Sequence, residues 1–113
     1  MTLSISDISP FDVLIAVVRF EDAPKGYKAR PVVALNVDDG ALTVAAVKVT
    51  SHAPRDWCFG EVRLLDWQRE GLARPSVARC SQRLLLRASD IGKRVGSLTE
   101  RDRAAVVAAL REG

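Results

Sequence analysis

RPVVALNVDDGALTVAAVKVT, residues 30–50, sets two apolar runs on either side of Asp38-Asp39-Gly40. Each run is rich in valine, the residue type that packs best on a pleated surface, and each is of strand length. Asp-Gly tolerates the positive φ angles of a tight turn, so the stretch predicts an antiparallel hairpin: a strand over RPVVALNV, a turn at 38–40, and a returning strand over ALTVAAVKVT. Pro31 has no amide to donate, which a sheet accommodates only at a strand start or on an edge. Arg-Pro therefore stands at the mouth of the first run, and the second ends in Lys48-Val49-Thr50-Ser51-His52.

Working outward, FDVLIAVVRF (11–20) is a β-branched run that reads as a first strand, followed by the loop EDAPKGYKA (21–29). Downstream, the loop SHAPRDWCF (51–59) precedes a short strand, GEVRLL (60–65). DWQREG (66–71) has the length of one helical turn, with Asp66 able to cap its start and Gly71 its end. SVARCSQ and RLLLRA read as two short strands or one bent one. The closing SLTERDRAAVVAALREG is Ala-rich and helical, and Thr99 and Asp102 stand at capping-box spacing. Five or six short strands and a terminal helix make the fold mainly β (α+β), a small antiparallel barrel or strongly bent sheet.

With 113 residues the chain is expected to form a single domain over 1–113, and 48% hydrophobic with 27% charged residues exclude a disordered tail or a fibre. The longest apolar stretch, Val13 to Val18, is far too short to cross a bilayer, and Met1 to Pro10 has no signal-peptide pattern. A cytoplasmic protein with no membrane association is the expectation. Cys58 and Cys80 are far apart and His52 is the one histidine, so no zinc-type ligand set is available and neither metal nor cofactor is expected. Both thiols read as small hydrophobes. The formal charge of +3 is a mild excess, but Lys25, Lys28, Arg30, Lys48 and Arg55 crowd the region of the hairpin and predict a local basic face.

FDVLIAVVRFED, KARPVVAL, LTVAAVKVTSH, PSVARCSQRLLL and IGKRVGSLTERDRAAVVAAL follow one another from Phe11 to Leu110. In that order they resemble the successive motifs of the PemK/MazF-like toxin family. The resemblance implies a compact SH3-like barrel, a homodimer, and a metal-independent endoribonuclease (an mRNA interferase) that cuts single-stranded RNA. It also implies a cognate antitoxin whose disordered acidic segment occupies the RNA groove. The family's reactive pair, the arginine of the Arg-Pro motif and the threonine ending the third strand, falls on Arg30 and Thr50.

Those residue types suit the chemistry. Attack of a ribose 2′-OH on the adjacent phosphorus builds charge on a five-coordinate phosphate, which a planar guanidinium clamps through two donors while a hydroxyl aligns it. The products are a 2′,3′-cyclic phosphate and a 5′-hydroxyl, and DNA is inert for want of the nucleophile. Arg79, Ser81 and Ser51 are candidate supporting residues. Lys28, Lys48, Arg55 and Arg79 are candidates for phosphate contact and His52 for RNA contact, with Tyr27 and Trp57 as rings on which bases stack. Trp67 reads as a core or interface anchor.

Two stretches depart from the family pattern. Arg79-Cys80-Ser81 stands where some members have Arg-Cys-Asp, so Arg79 is kept and the carboxylate is lost. Strand alternation would put Arg79 and Ser81 on one face. The loop EDAPKGYKA also differs from that of better-known members, so target preference does not carry over. A second reading is a non-catalytic binding module on the same barrel, with RNA, an antitoxin or a topoisomerase as partner.

Overall fold

The computed structural model describes residues 4–19, 27–51 and 60–112, without the side chains of 18, 19, 27, 28 and 112. Its strands are β1 (Asp12–Arg19), β2 (Tyr27–Asp38), β3 (Thr43–Thr50), β4 (Glu61–Leu64), β5 (Ser76–Arg87) and β6 (Ile91–Ser97), and one helix, α1 (Glu100–Glu112), closes the chain. They form one six-stranded sheet in the order β4-β5-β3-β2-β1-β6, and every pair is antiparallel. Short 3₁₀ turns at Ile5–Asp7 and Ala88–Asp90 lie outside the ladders. Of the two alternatives that the sequence left open, the chain takes the bent sheet: β4 and β6 are its two edges and do not close on each other.

Both faces of the sheet are buried, which is why the strands read as nearly continuous apolar runs. Leu14, Ala16, Val32, Ala34, Val44 and Ala46 pack on one face with Leu86, Ile91 and the N-terminal Ile5 and Ile8. Val13, Val33, Val47 and Val49 pack on the other with Leu64, Leu72, Ala78, Cys80 and Val106 of α1. Trp67 joins this second core as a partly buried residue, in keeping with an anchoring role. Cys80 is a free, buried thiol, and burial pushes its pKa up. Its chemistry here is that of a small apolar residue. Cys58 lies outside the described residues.

The hairpin forms as expected, but its turn differs. β2 runs to Asp38 and β3 starts at Thr43, these two being paired, so four residues make the connection. The positive φ falls on Leu42, at 56°, and not on Gly40. The side chain of Asp38 sets the bend by accepting a hydrogen bond from the Ala41 amide at 3.0 Å, an Asx-type turn. Pro31 lies within β2 and not at its start. Among the described residues the ladder with β3 ends at Val32↔Lys48 and β2 is paired only with β1 from Pro31 back to Tyr27, so the proline occupies a local edge. The expected loop 21–29 is thereby shortened, because Tyr27, Lys28 and Ala29 already pair with Arg19, Val18 and Val17.

SVARCSQ and RLLLRA are one strand, β5, bent by a bulge: Val47 pairs with Arg83 while its neighbour Lys48 pairs with Arg79. IGKRVGS forms β6, which the strand reading had not assigned. The single helical turn near Asp66 is present and closes with a Schellman motif, in which the Leu72 amide donates to the Trp67 carbonyl and the Gly71 amide to that of Gln68. Neither proposed start cap is used locally. Asp66 receives Thr99 Oγ1 and the Arg101 guanidinium, and Asp102 accepts the Leu65 and Asp66 amides at 3.0 and 2.9 Å. The capping box at Thr99 and Asp102 is therefore replaced by a tertiary clasp between α1 and the 65–71 turn.

Candidate functional site

The open end of the β2/β3 hairpin builds the site. Beyond the Val32↔Lys48 pair the two strands run on by two residues, to Arg30 on β2 and Thr50 on β3. The resemblance had selected these two from positions twenty apart in sequence, and both line one cleft of about 820 Å³. Lys48 and Ser51 line it too. Its floor is a row in register across three strands, Pro31 on β2, Ile15 on β1 and Lys93 on β6. Leu72, Arg74 and Ser76 make the facing wall.

That wall is held rigidly. Gly71 turns at φ 86°, and a Cβ there would come within 2.2 Å of the Val95 carbonyl oxygen of β6, so only glycine lets the chain press against the sheet. Ser76 is buried and its hydroxyl donates to the Arg74 carbonyl at 2.8 Å, fixing the turn that presents Arg74.

The electrostatics of the cleft are one-sided. Arg30, Lys48, Arg74 and Lys93 are four cations, and no carboxylate stands among the described lining residues. Thr50 adds a second signal, for its Oγ1 is buried and has no hydrogen-bond partner among the described residues. Buried polar atoms in native structures are almost always paired, so an orphan hydroxyl beside a cationic cleft marks a place for a ligand oxygen.

Arg79 stands one strand further on, opposite Lys48 across β3 and β5, and opposite Glu61 across β5 and β4. Its Nε is 3.3 Å from Glu61 Oε2. Ser81 sits in the bulge between Arg79 and Arg83, where the ladder is interrupted, and is exposed. His52, Arg55, Trp57 and Lys25 lie outside the described residues. So do the side chains of Tyr27 and Lys28, whose backbones belong to β2. Arg74, Lys93 and Glu61 were not anticipated. Only the topology brings the first two to the hairpin mouth, and a Glu at the head of a four-residue strand has no sequence mark.

A bent antiparallel sheet with a terminal helix and a cationic cleft at one hairpin mouth is the architecture of a small, mainly β protein. A family model described as "PemK-like, MazF-like toxin of type II toxin-antitoxin system" matches residues 10–113, and the chain belongs to that family. No curated protein matches it. Among solved structures it is similar to the Mycobacterium tuberculosis toxin MazF-mt6, with a TM-score of 0.69 at 24% identity over 89% of this chain and 93% of that one. It is also similar to MazE-MazF (Form-III) from Deinococcus radiodurans, with a TM-score of 0.70 at 15% identity over 93% and 94% of the two chains. A third is an endoribonuclease in complex with its cognate antitoxin from a mycobacterial species, with a TM-score of 0.64 at 14% identity over 92% and 93%. At these identities the likeness establishes the shared fold.

Proposed function

We propose that this toxin-family chain is a metal-independent endoribonuclease that cuts single-stranded RNA, an mRNA interferase with its reaction centre at Arg30 and Thr50. The observation that carries the reading is the cleft itself: four cations and an unpartnered threonine hydroxyl converge on one groove, in a chain of this family. A polyanion with splayed bases fits such a surface.

In the reaction the ribose 2′-OH attacks the neighbouring phosphorus, the P–O5′ bond breaks, and a 2′,3′-cyclic phosphate and a 5′-hydroxyl result. Arg30, permanently charged, binds the two non-bridging oxygens as charge grows on them. Thr50 donates its hydroxyl to one of these oxygens and so fixes the phosphate for in-line attack. A guanidinium has no lone pair free to take a proton, so it stabilises charge and is no base, and the proton of the 2′-OH leaves to another acceptor. Lys48, Arg74 and Lys93 hold flanking phosphates.

The same groove suits an acidic segment of a cognate antitoxin, since carboxylates and phosphates ask for the same donors. A complex of this kind is named for one structural neighbour. Homodimerisation and a cytoplasmic site of action belong to the same reading. One observation favours the non-catalytic alternative: Ser81 is exposed in its bulge and supplies no acid beside Arg79.

Incubation of the chain with long single-stranded RNA in EDTA separates the two. Discrete fragments ending in 2′,3′-cyclic phosphate, lost in Arg30→Ala, are expected of the nuclease. Intact RNA from a folded chain that still binds it would overturn the catalytic reading in favour of the binding module.

A further inference from the structure

Alternate residues of a strand share a face, so Val13, Ile15 and Val17 of β1 lie in line, opposite Val33, Pro31 and Ala29 of β2. Exposure rises along that line. Val13 and Val33 are fully buried in the second core, Ile15 and Pro31 are half-buried, and Val17 is 41% exposed. Leu72 packs in the same core and also lines the cleft. The apolar face of the core thus runs out from under its cover and becomes the floor of the cleft.

β6 widens that floor through an irregularity in its ladder. Leu14 pairs with Arg94 and Val13 with Gly96, which leaves Val95 as the extra residue of a bulge. Bulges re-aim a side chain, and Val95 lines the cleft, half-buried. The bulge is held from the other side, because Gly71 and Gly96 let the 70–71 backbone press against β6 where any Cβ would collide with it.

Half-open aliphatic side chains beside four cations narrow the choice of occupant. A bare anion asks for donors and gains nothing from an apolar floor, and an apolar peptide gains nothing from the cations. A nucleotide carries both a charged phosphate and a flat base that sheds water readily. Lys93 stands directly opposite Ile15 and Ile15 opposite Pro31, with Arg30 the next residue on β2. Cations therefore flank the apolar patch at both ends, two strand spacings or about 9.5 Å apart. No aromatic ring stands among the described lining residues, so a base entering here meets aliphatic side chains.

We infer that Ile15, Pro31 and Val95 form a nucleobase seat, which takes one unstacked base by its face while Arg30 and Lys93 meet phosphates on either side; this rests on the reading of the cleft as an RNA groove. Every base has such a face, so the seat holds the strand in place without choosing its sequence.

Ile15→Thr keeps the β-branched shape and puts a hydroxyl on the floor. Two single strands of equal length and charge are compared by fluorescence anisotropy at low salt. One is a 2′-deoxy oligonucleotide, the other the same backbone with every base removed, and neither has the 2′-OH needed for cleavage. Ile15→Thr is expected to lose about fivefold on the base-bearing strand, the effect of about 40 Å² of apolar burial, and nothing on the abasic one. The slope of log K against log salt should keep its wild-type value, since no phosphate contact is changed.

Wild-type affinity of a folded Ile15→Thr chain for the base-bearing strand overturns the inference. An equal loss on both strands does so too, for it would mark a change in the fold or in the cations. Should Ile15→Thr not fold, Val95→Thr, which has the shape of valine, is measured against the same two criteria. If Ile15→Thr abolishes a dimer on sedimentation and leaves both affinities unchanged, the floor belongs to a second copy of the chain and the seat is overturned. A wild-type chain that binds neither strand at low salt overturns the groove reading together with the seat. Preference for the base-bearing strand, lost in Ile15→Thr, from a chain that leaves RNA intact in EDTA overturns the proposed reaction alone and supports the seat.

Discussion

At Thr50 the fold buries a hydroxyl oxygen that has no partner among the described residues, a state that costs about 1–3 kcal/mol when nothing compensates. Valine has the shape of threonine without that oxygen. Thr50→Val is therefore expected to leave thermal stability unchanged or to raise it by about 1 kcal/mol, while RNA cleavage falls by about tenfold to a hundredfold. A melting curve and a cleavage time course on the same sample check both halves. Together they separate a residue kept for chemistry from one kept for packing. Gly71 is the opposite case. Its φ of 86° and the 2.2 Å approach of a Cβ to the Val95 oxygen leave no room for a side chain, so Gly71→Ala should lower the urea midpoint by an amount equivalent to about 2 kcal/mol or more. Of these positions, Gly71 was readable from the sequence because a helical turn must end in such a residue. Arg30 and Thr50 were readable only through the ordered family motifs, for an arginine before proline and a threonine ending a strand are common in any sheet.

At the scale of elements, the contact between α1 and the 65–71 turn governs the pH response. Glu70 is fully buried at the end of that turn and accepts the Thr99 amide at 2.9 Å, and its Oε1 has no donor among the described residues. Burial first, and then the Asp102 and Asp66 carboxylates, push its pKa up to about 7 although the Thr99 amide pulls the other way. Asp66, held by Arg101 and Thr99, lies low at about 2, and Arg101 is raised in turn. In the unfolded chain Glu70 returns to its ordinary value of 4.5. Its contribution to stability is thus full below that value, declines as pH rises, and is gone once pH has passed the folded pKa. Thermal melts at pH 4.5 and pH 7.5 should differ in that direction, by about 4 °C for each kcal/mol, and Glu70→Gln should flatten the difference. A rise in stability over that interval would contradict the assignment. None of this was legible beforehand. Thr99 and Asp102 have the spacing of a local cap, and only the tertiary approach of the 65–71 turn diverts them to Asp66 and to its amides. β6 was hidden for a related reason, since Gly92 and Gly96 break the apolar pattern by which strands are recognised.

Over the whole molecule, the hairpin and the helix were legible because period and turn chemistry are local. The cleft was not, because it is a property of strand order. β6 lies beside β1 at the far edge from β4, and this brings Lys93 into one row with Ile15 and Pro31, while the 71–76 segment folds over to add Arg74. Four cations from four separate stretches of chain then act on one ligand, and their joint effect is measurable as salt dependence. If each of the four neutralises one phosphate of a single strand, the slope of log K against log salt is about −0.7 for each contact, or close to −3 in all. Raising salt from about 50 to about 200 mM should then weaken binding of a 2′-deoxy oligonucleotide by about fiftyfold. Arg74→Gln and Lys93→Gln, which lie away from Arg30 and Thr50, should each reduce the slope by about 0.7 and weaken binding of unrelated sequences alike. A slope unaffected by both variants would mean that the strand does not extend along the floor and facing wall, and would confine the RNA contact to the hairpin mouth.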